Sequence, residues 1–202
     1  RNLADRAVDY IHTLLIAGLF APAVAGAFFA VGTHLLAGWP MAATFGRWWS
    51  SDAMAFSLFL PAMLLVSRET LAALARPDAA ARLALALVAC GAVSYFALVR
   101  FDFPFVLLQV PLMLAALRAR LFELALTCLV TGIVLVALAA AGQVPGFASV
   151  NDYQVAVSLS LLLPFIAGLM LEELRRERRR TVEQEQFYRR AMMDSEIGVS
   201  IV

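Results

Sequence analysis

The chain has 202 residues, of which 62% are hydrophobic, and its mean hydropathy is +0.83. That exceeds the roughly 45–50% apolar content of soluble domains and excludes a soluble globular enzyme. The net charge is only +1, yet all 16 basic residues are arginine and they are strongly localised. Composition therefore predicts an integral membrane protein, with an all-α fold built as a polytopic transmembrane helical bundle.

Six apolar segments follow in chain order: Ile11–Ala37, Trp48–Val66, Leu83–Val99, Phe103–Leu117, Phe122–Ala141 and Tyr153–Leu171. Several are near the lower length limit for crossing a hydrocarbon core of about 30 Å. In the first, Gly18, Pro22, Gly26 and Ala30 recur every four residues, a flat face for close helix approach. His12 and His34 sit near its opposite ends, too far apart to share a metal or haem on that helix. His34 reads as a packed or interfacial histidine.

The second segment opens with "RWWSSDAMAFSLFLP". Counted from Ala53 it offers about 14 apolar residues, roughly 21 Å of helix, so a crossing must begin near Trp48 and carry Asp52 at the outer membrane edge. Trp48 and Trp49 then read as an interfacial aromatic belt. Two readings of Asp52 stand. Ser50, Ser51 and Asp52 are all good N-caps, and an anion suits a helix N-terminus. Alternatively, Asp52 belongs to a ligand pocket or inter-helix network, with Arg47 and Arg100 as candidate partners.

Further along, Gln109 lies mid-span, where an amide is expected to bond a neighbouring helix, and Glu123 is expected at the interface near Arg118 and Arg120. Pro22, Pro61, Pro111 and Pro164 each remove a backbone donor within a span. They read as kinks that shape the bundle, or as joints around a central cavity. Cys90 and Cys128 lie in apolar runs without a nearby Cys or His, so neither a disulfide nor a zinc site is expected. The sequence offers no cofactor motif, no phosphate loop, no nucleophile–base pairing, no metal-ligand spacing and no nucleic-acid patch.

The arginines orient the spans. With the N-terminus in the cytoplasm, one side collects Arg68, Arg76, Arg82, Arg118, Arg120 and the run Arg175–Arg180, and the other holds Arg47 and Arg100. The positive-inside rule then puts both ends in the cytoplasm. The outer connections "AGWPMAATFGR", "RFDFP" and "GQVPGFASVND" read as short turns. After Leu171 the chain turns polar, with no Pro or Gly before Gly198. Glu172/Arg176 and Glu185/Arg189 are acid-to-base pairs at i,i+4, so the sixth span should run on as one helix, a signal relay through Leu171, Glu172, Leu174 and Arg176. A coiled-coil seam there (Leu171, Leu174, Arg178, Val182, Glu185, Tyr188) is poor. The arginine run reads as topology anchor and lipid-headgroup contact.

"RWWSSDAMAFSLFLP" and "FPFVLLQVPLMLAALR" resemble, in order and spacing, the membrane-associated sensor domain, type 1 (MASE type 1). Trp48, Trp49, Asp52 and Pro61 carry the first piece; Phe103, Pro104, Phe105, Pro111 and Ala115–Arg118 carry the second. The resemblance spans about residues 5–180. Ser51 and Ala55 stand where glycines usually flank the Asp, and the family's N-terminal W-P-P-A-G-like spans have no counterpart. We therefore expect residues 1–171 to be the C-terminal part of such a domain, within a longer polypeptide. "FYRRAMMDSEIGVSIV" is similar to the opening of a PAS domain, through Phe187, Ala191, Ser195, Ile197 and Gly198. That assigns 172–190 to a cytoplasmic signalling helix and 191–202 to the start of PAS.

The resemblances imply the sensory input of a bacterial inner-membrane signalling protein. Its usual outputs are diguanylate cyclase (GGDEF) and cyclic-di-GMP phosphodiesterase (EAL) domains, less often a histidine kinase. The implied partners are the lipid bilayer, a second copy in a homodimer, and a small ligand or membrane protein, with no nucleic acid. A transporter or channel subunit would call for inverted repeats and more buried charge. A membrane scaffold that senses nothing is the third reading.

Overall fold

The structure is a computed structural model that describes residues 3–101, 104–142 and 150–199. Its elements are α1 (Leu3–Leu15), a π-helical turn (Ile16–Phe20), α2 (Ala21–Ala37), α3 (Met41–Leu65), α4 (Arg68–Leu74), α5 (Pro77–Arg100), α6 (Pro104–Arg118), α7 (Leu121–Ala140) and α8 (Val150–Val199). Among the described residues there is no strand. By length and composition four helical stretches can cross a membrane: Asp9–Ala37, Pro77–Leu98, Leu121–Ala140 and Asp152–Arg190. A fifth is reached if α3 and α4, bent by 94° at their junction, count as one span, and Phe105–Arg118 is a shorter apolar helix.

The first span owes its internal break to Pro22. The proline lacks an N–H, and directly ahead of it the ladder widens so that the Ala21 N–H donates to Ile16 O, five residues back. The span ends at Gly38, whose φ of 69° makes the left-handed C-cap.

The connection to α3 departs from the expected turn. Only 38–40 lie outside helices, because Pro40 (φ −62°, ψ 114°) starts α3 and its carbonyl accepts from Thr44 N at 3.0 Å. Met41–Arg47 is therefore helix, and α3 begins seven residues earlier than the apolar run. At its other end, Ser67 and Thr70 form a reciprocal capping box that launches α4 across the bundle end. That short helix carries no apolar run of spanning length, which is why periodicity did not suggest it.

Helix α8 is continuous for 50 residues, about 75 Å at 1.5 Å per residue. The Glu172–Arg176 and Glu185–Arg189 pairs form, at 3.1 and 2.9 Å. Residues 200–202, to which the expected first PAS strand extends, lie outside the described residues.

The core gathers around α8, which packs on α1, α3, α6 and α7. One cluster of buried residues unites Leu58, Leu108, Leu112, Leu124, Leu135, Val157 and Leu161 with both cysteines. Cys90 and Cys128 are thus free thiols in one core, although nothing in their spacing brings them together. A second cluster joins Leu14, Ala62, Ala125, Phe165 and Leu169. At Gly132 of α7 an added Cβ would run into Leu58 Cδ2 and come within 2.9 Å of Leu161 Cδ1. The missing side chain is what lets α3, α7 and α8 meet there.

Candidate functional site: the polar seam along α8

The strip Gly18, Pro22, Gly26 and Ala30 is buried, as its spacing predicts. It admits α3 so closely that a Cβ on Gly26 would lie 3.4 Å from Trp49 N. The indoles lock this contact. Trp49 Nε1 donates to Leu19 O at 3.2 Å, within the π turn, and Trp48 packs on Phe29 at a centroid distance of 4.1 Å. Both lie well inside α3 rather than at its start. They are therefore inter-helix clamps, although Trp48 remains 42% exposed.

At the next two residues α3 bonds α8. Ser50 Oγ donates to Gln154 Oε1 at 2.7 Å, and Gln154 Nε2 donates to Ser51 Oγ at 3.3 Å. Asp52 follows directly and is half-buried. The capping reading of Asp52 fails, because α3 starts at Met41 with Pro40 as N-cap. The carboxylate sits eleven residues into the helix, about 17 Å from Met41 and about 20 Å from Leu65 along the axis. Arg47 and Arg100 are both exposed and neither pairs with it. Among the described residues Asp52 makes no hydrogen bond or ion pair. The network beside it is built from Ser50, Ser51 and Gln154 instead.

Deeper along α8, Gln109 meets the expectation for a mid-span amide. Its Nε2 donates to Ser160 O at 3.1 Å. That carbonyl lies four residues before Pro164, so it is the one the proline deprives of its helical donor. An amide from α6 replaces a missing bond of α8. Gln109 Oε1 and Ser94 Oγ are buried with no hydrogen-bond partner among the described residues. At Pro61 the serine four residues back does something different: Ser57 Oγ donates to Ala53 O at 2.7 Å, not to the freed carbonyl. Pro111 is half-buried inside α6. Tyr153 fastens the N-terminal end of α8, donating from its hydroxyl to Leu135 O on α7 and packing edge-on to Phe105 of α6.

At the other end Glu123 stands beside Arg120, as expected, but is buried within the bundle, 3% exposed. Its carboxylate takes Arg82 in a fork, Nη2 to Oε1 at 2.9 Å and Nε to Oε2 at 3.3 Å. It also accepts from Arg120 N at 3.3 Å. Arg175 donates to Leu117 O, tying α8 to the last turn of α6. Of the relay residues, Leu171 and Glu172 are half-buried, whereas Leu174 and Arg176 are exposed. His34 lies at the end of α2, exposed, with Nδ1 2.8 Å from Trp39 O. No three His, Cys, Asp or Glu side chains converge as a metal would need, among the described residues.

The family model MASE1 matches residues 4–179. This chain belongs to the MASE1 family. MASE1 domains are membrane sensor domains of signalling proteins, and the match takes in every contact of the seam. No curated protein and no solved structure matches the chain. Within this MASE1 domain Trp48 and Trp49 pack against the first span and Pro61 is buried, while Asp52 has no partner among the described residues.

Sequence reasoning missed Gln154, Arg82 and Tyr153. Gln154 carries the same signal that pointed to Gln109, an amide in an apolar run. Arg82 carries none, since its partner is 41 residues away.

Proposed function

We propose that this MASE1 domain is a six-span input module of a bacterial inner-membrane receptor, with both ends in the cytoplasm. A stimulus met near Asp52 in the outer half of the bundle shifts α8, and α8 carries the shift to a PAS domain beginning near Ala191. The output beyond it is a diguanylate cyclase, a cyclic-di-GMP phosphodiesterase or both. Two copies pair along the cytoplasmic part of α8, where Leu174, Val182, Phe187 and Tyr188 are exposed.

The observation that carries the reading is the single helix α8, gripped by α3, α6 and α7 within the bundle and uninterrupted beyond it. Because an α-helix is stiff over a few turns, a rotation or tilt imposed at Gln154 and Ser160 is delivered beyond Arg180. The partnerless carboxylate fits the same account. An ionisable group inside a membrane helix is costly and marks a site of function.

The test is a Gly-Pro insertion after Arg179 in the full-length receptor, assayed for cyclic-di-GMP turnover with and without the stimulus. The expected result is an output that no longer responds. Regulation unchanged by the insertion would contradict the relay.

A further inference from the structure

Where α8 leaves the bundle, five arginines from three segments line one cavity of roughly 600 Å³. Arg118 ends α6, Arg120 precedes α7, and Arg175, Arg176 and Arg179 share one face of α8. Three glutamates also line it: Glu123 is held by Arg82 and Glu172 by Arg176, while Glu69 forms no ion pair among the described residues. The guanidinium groups of Arg118, Arg120 and Arg179 form no ion pair among the described residues. Five arginines against three glutamates, one of them already taken by Arg82, leave the cavity an excess of guanidinium groups, whose planar donor forks match phosphate oxygens.

A second cavity, about 140 Å³, adjoins the first and shares Leu65, Leu121, Glu172 and Arg176 with it. The rest of its wall is Tyr10, Leu169 and Glu173, so the arginine-lined bowl continues into a cleft between α1, α3, α7 and α8 that carries three leucines beside its charged groups. Soluble phosphate has no use for that cleft. A phospholipid does, with its head in the bowl and its first acyl carbons along the leucines.

We propose that this paired cavity is a binding site for an anionic phospholipid of the adjoining leaflet. The phosphate is taken by Arg118, Arg120 and Arg179, and the lipid clamps the α6–α7 turn to the exit of α8. The membrane's charge composition then adjusts the same helix that carries the signal. The lipid site itself stands apart from the function proposed above; the cytoplasmic leaflet and the effect on signalling rest on it.

The test uses the purified chain in a zwitterionic detergent, titrated with phosphatidylglycerol or with phosphatidylcholine of identical acyl chains. Retained lipid is read by native mass spectrometry. This measurement does not depend on membrane orientation, which reporter fusions to the loops examine separately. The wild type should hold phosphatidylglycerol in preference to phosphatidylcholine. Arg118→Gln with Arg179→Gln should weaken it about 30-fold, some fivefold per arginine near an anionic group. Arg179→Gln alone, at an exposed position that spares folding, should give about fivefold. Arg189→Gln with Arg190→Gln, the same charge change beyond the cavity, should leave retention unaltered. Equal loss in that control, or equal retention of phosphatidylcholine, would overturn the site. Displacement of the lipid by millimolar inorganic phosphate would also overturn it, in favour of a soluble anion.

Discussion

The bond from Gln109 to Ser160 O predicts a non-additive pair of substitutions. Gln109→Leu removes the amide that serves a carbonyl already deprived by Pro164. A buried acceptor left without a donor costs about 1–3 kcal/mol. Two features lower that figure here: side-chain bonds between membrane helices average about 0.6 kcal/mol, and the substitution also deletes the unpartnered Gln109 Oε1. The net expectation is a loss of about 1 kcal/mol. Pro164→Ala restores an N–H four residues after Ser160, so that carbonyl regains its own helical donor. On this background Gln109→Leu should cost close to nothing. Coupling between the two sites is then about 1 kcal/mol, with the double variant more stable than the sum of the singles predicts. Equilibrium unfolding in mixed micelles of dodecyl maltoside and sodium dodecyl sulfate measures all four corners. Costs that add to within about 0.3 kcal/mol would refute the idea that Gln109 substitutes for the proline's lost bond.

Asp52→Asn should leave stability unchanged or raise it in the same assay, since no partner is lost and an unpaired intramembrane carboxylate is costly; a clear loss would reveal a bond that the seam does not contain. Yet the same variant should alter the receptor's response to its stimulus, measured as cyclic-di-GMP turnover. Gly132→Ala drives a methyl into Leu58 and Leu161 and should cost about 1–3 kcal/mol by overpacking, whereas Gly91→Ala, with open space around it, should cost nothing in the unfolding midpoint.

Four of the six expected spans were legible where the sequence is uniformly apolar, and the continuity of α8 was legible because no Pro or Gly interrupts the helical register after Leu171 before Gly198. The start of α3 was not. Arg47, the two indoles and Asp52 look like a membrane boundary, and only the packing of Gly26 against Trp49 shows that they lie inside a helix pair. That displacement removes Asp52 from its cap and makes it the unsolved group of the site. Gln109 was legible because an amide in an apolar run must find a partner somewhere. The Arg82–Glu123 fork was not, because an ion pair across 41 residues is set by how α5 packs on α7, and no local pattern encodes it.

The claim that α8 transmits by its helical phase is tested most directly by inserting one to four alanines after Arg180 in the full-length receptor. Each residue rotates everything downstream by about 100°. The account predicts a periodic outcome: four alanines, close to a full turn, preserve stimulus-dependent cyclic-di-GMP turnover, and two alanines, close to half a turn, abolish or invert it. A response that is indifferent to the number inserted would contradict it.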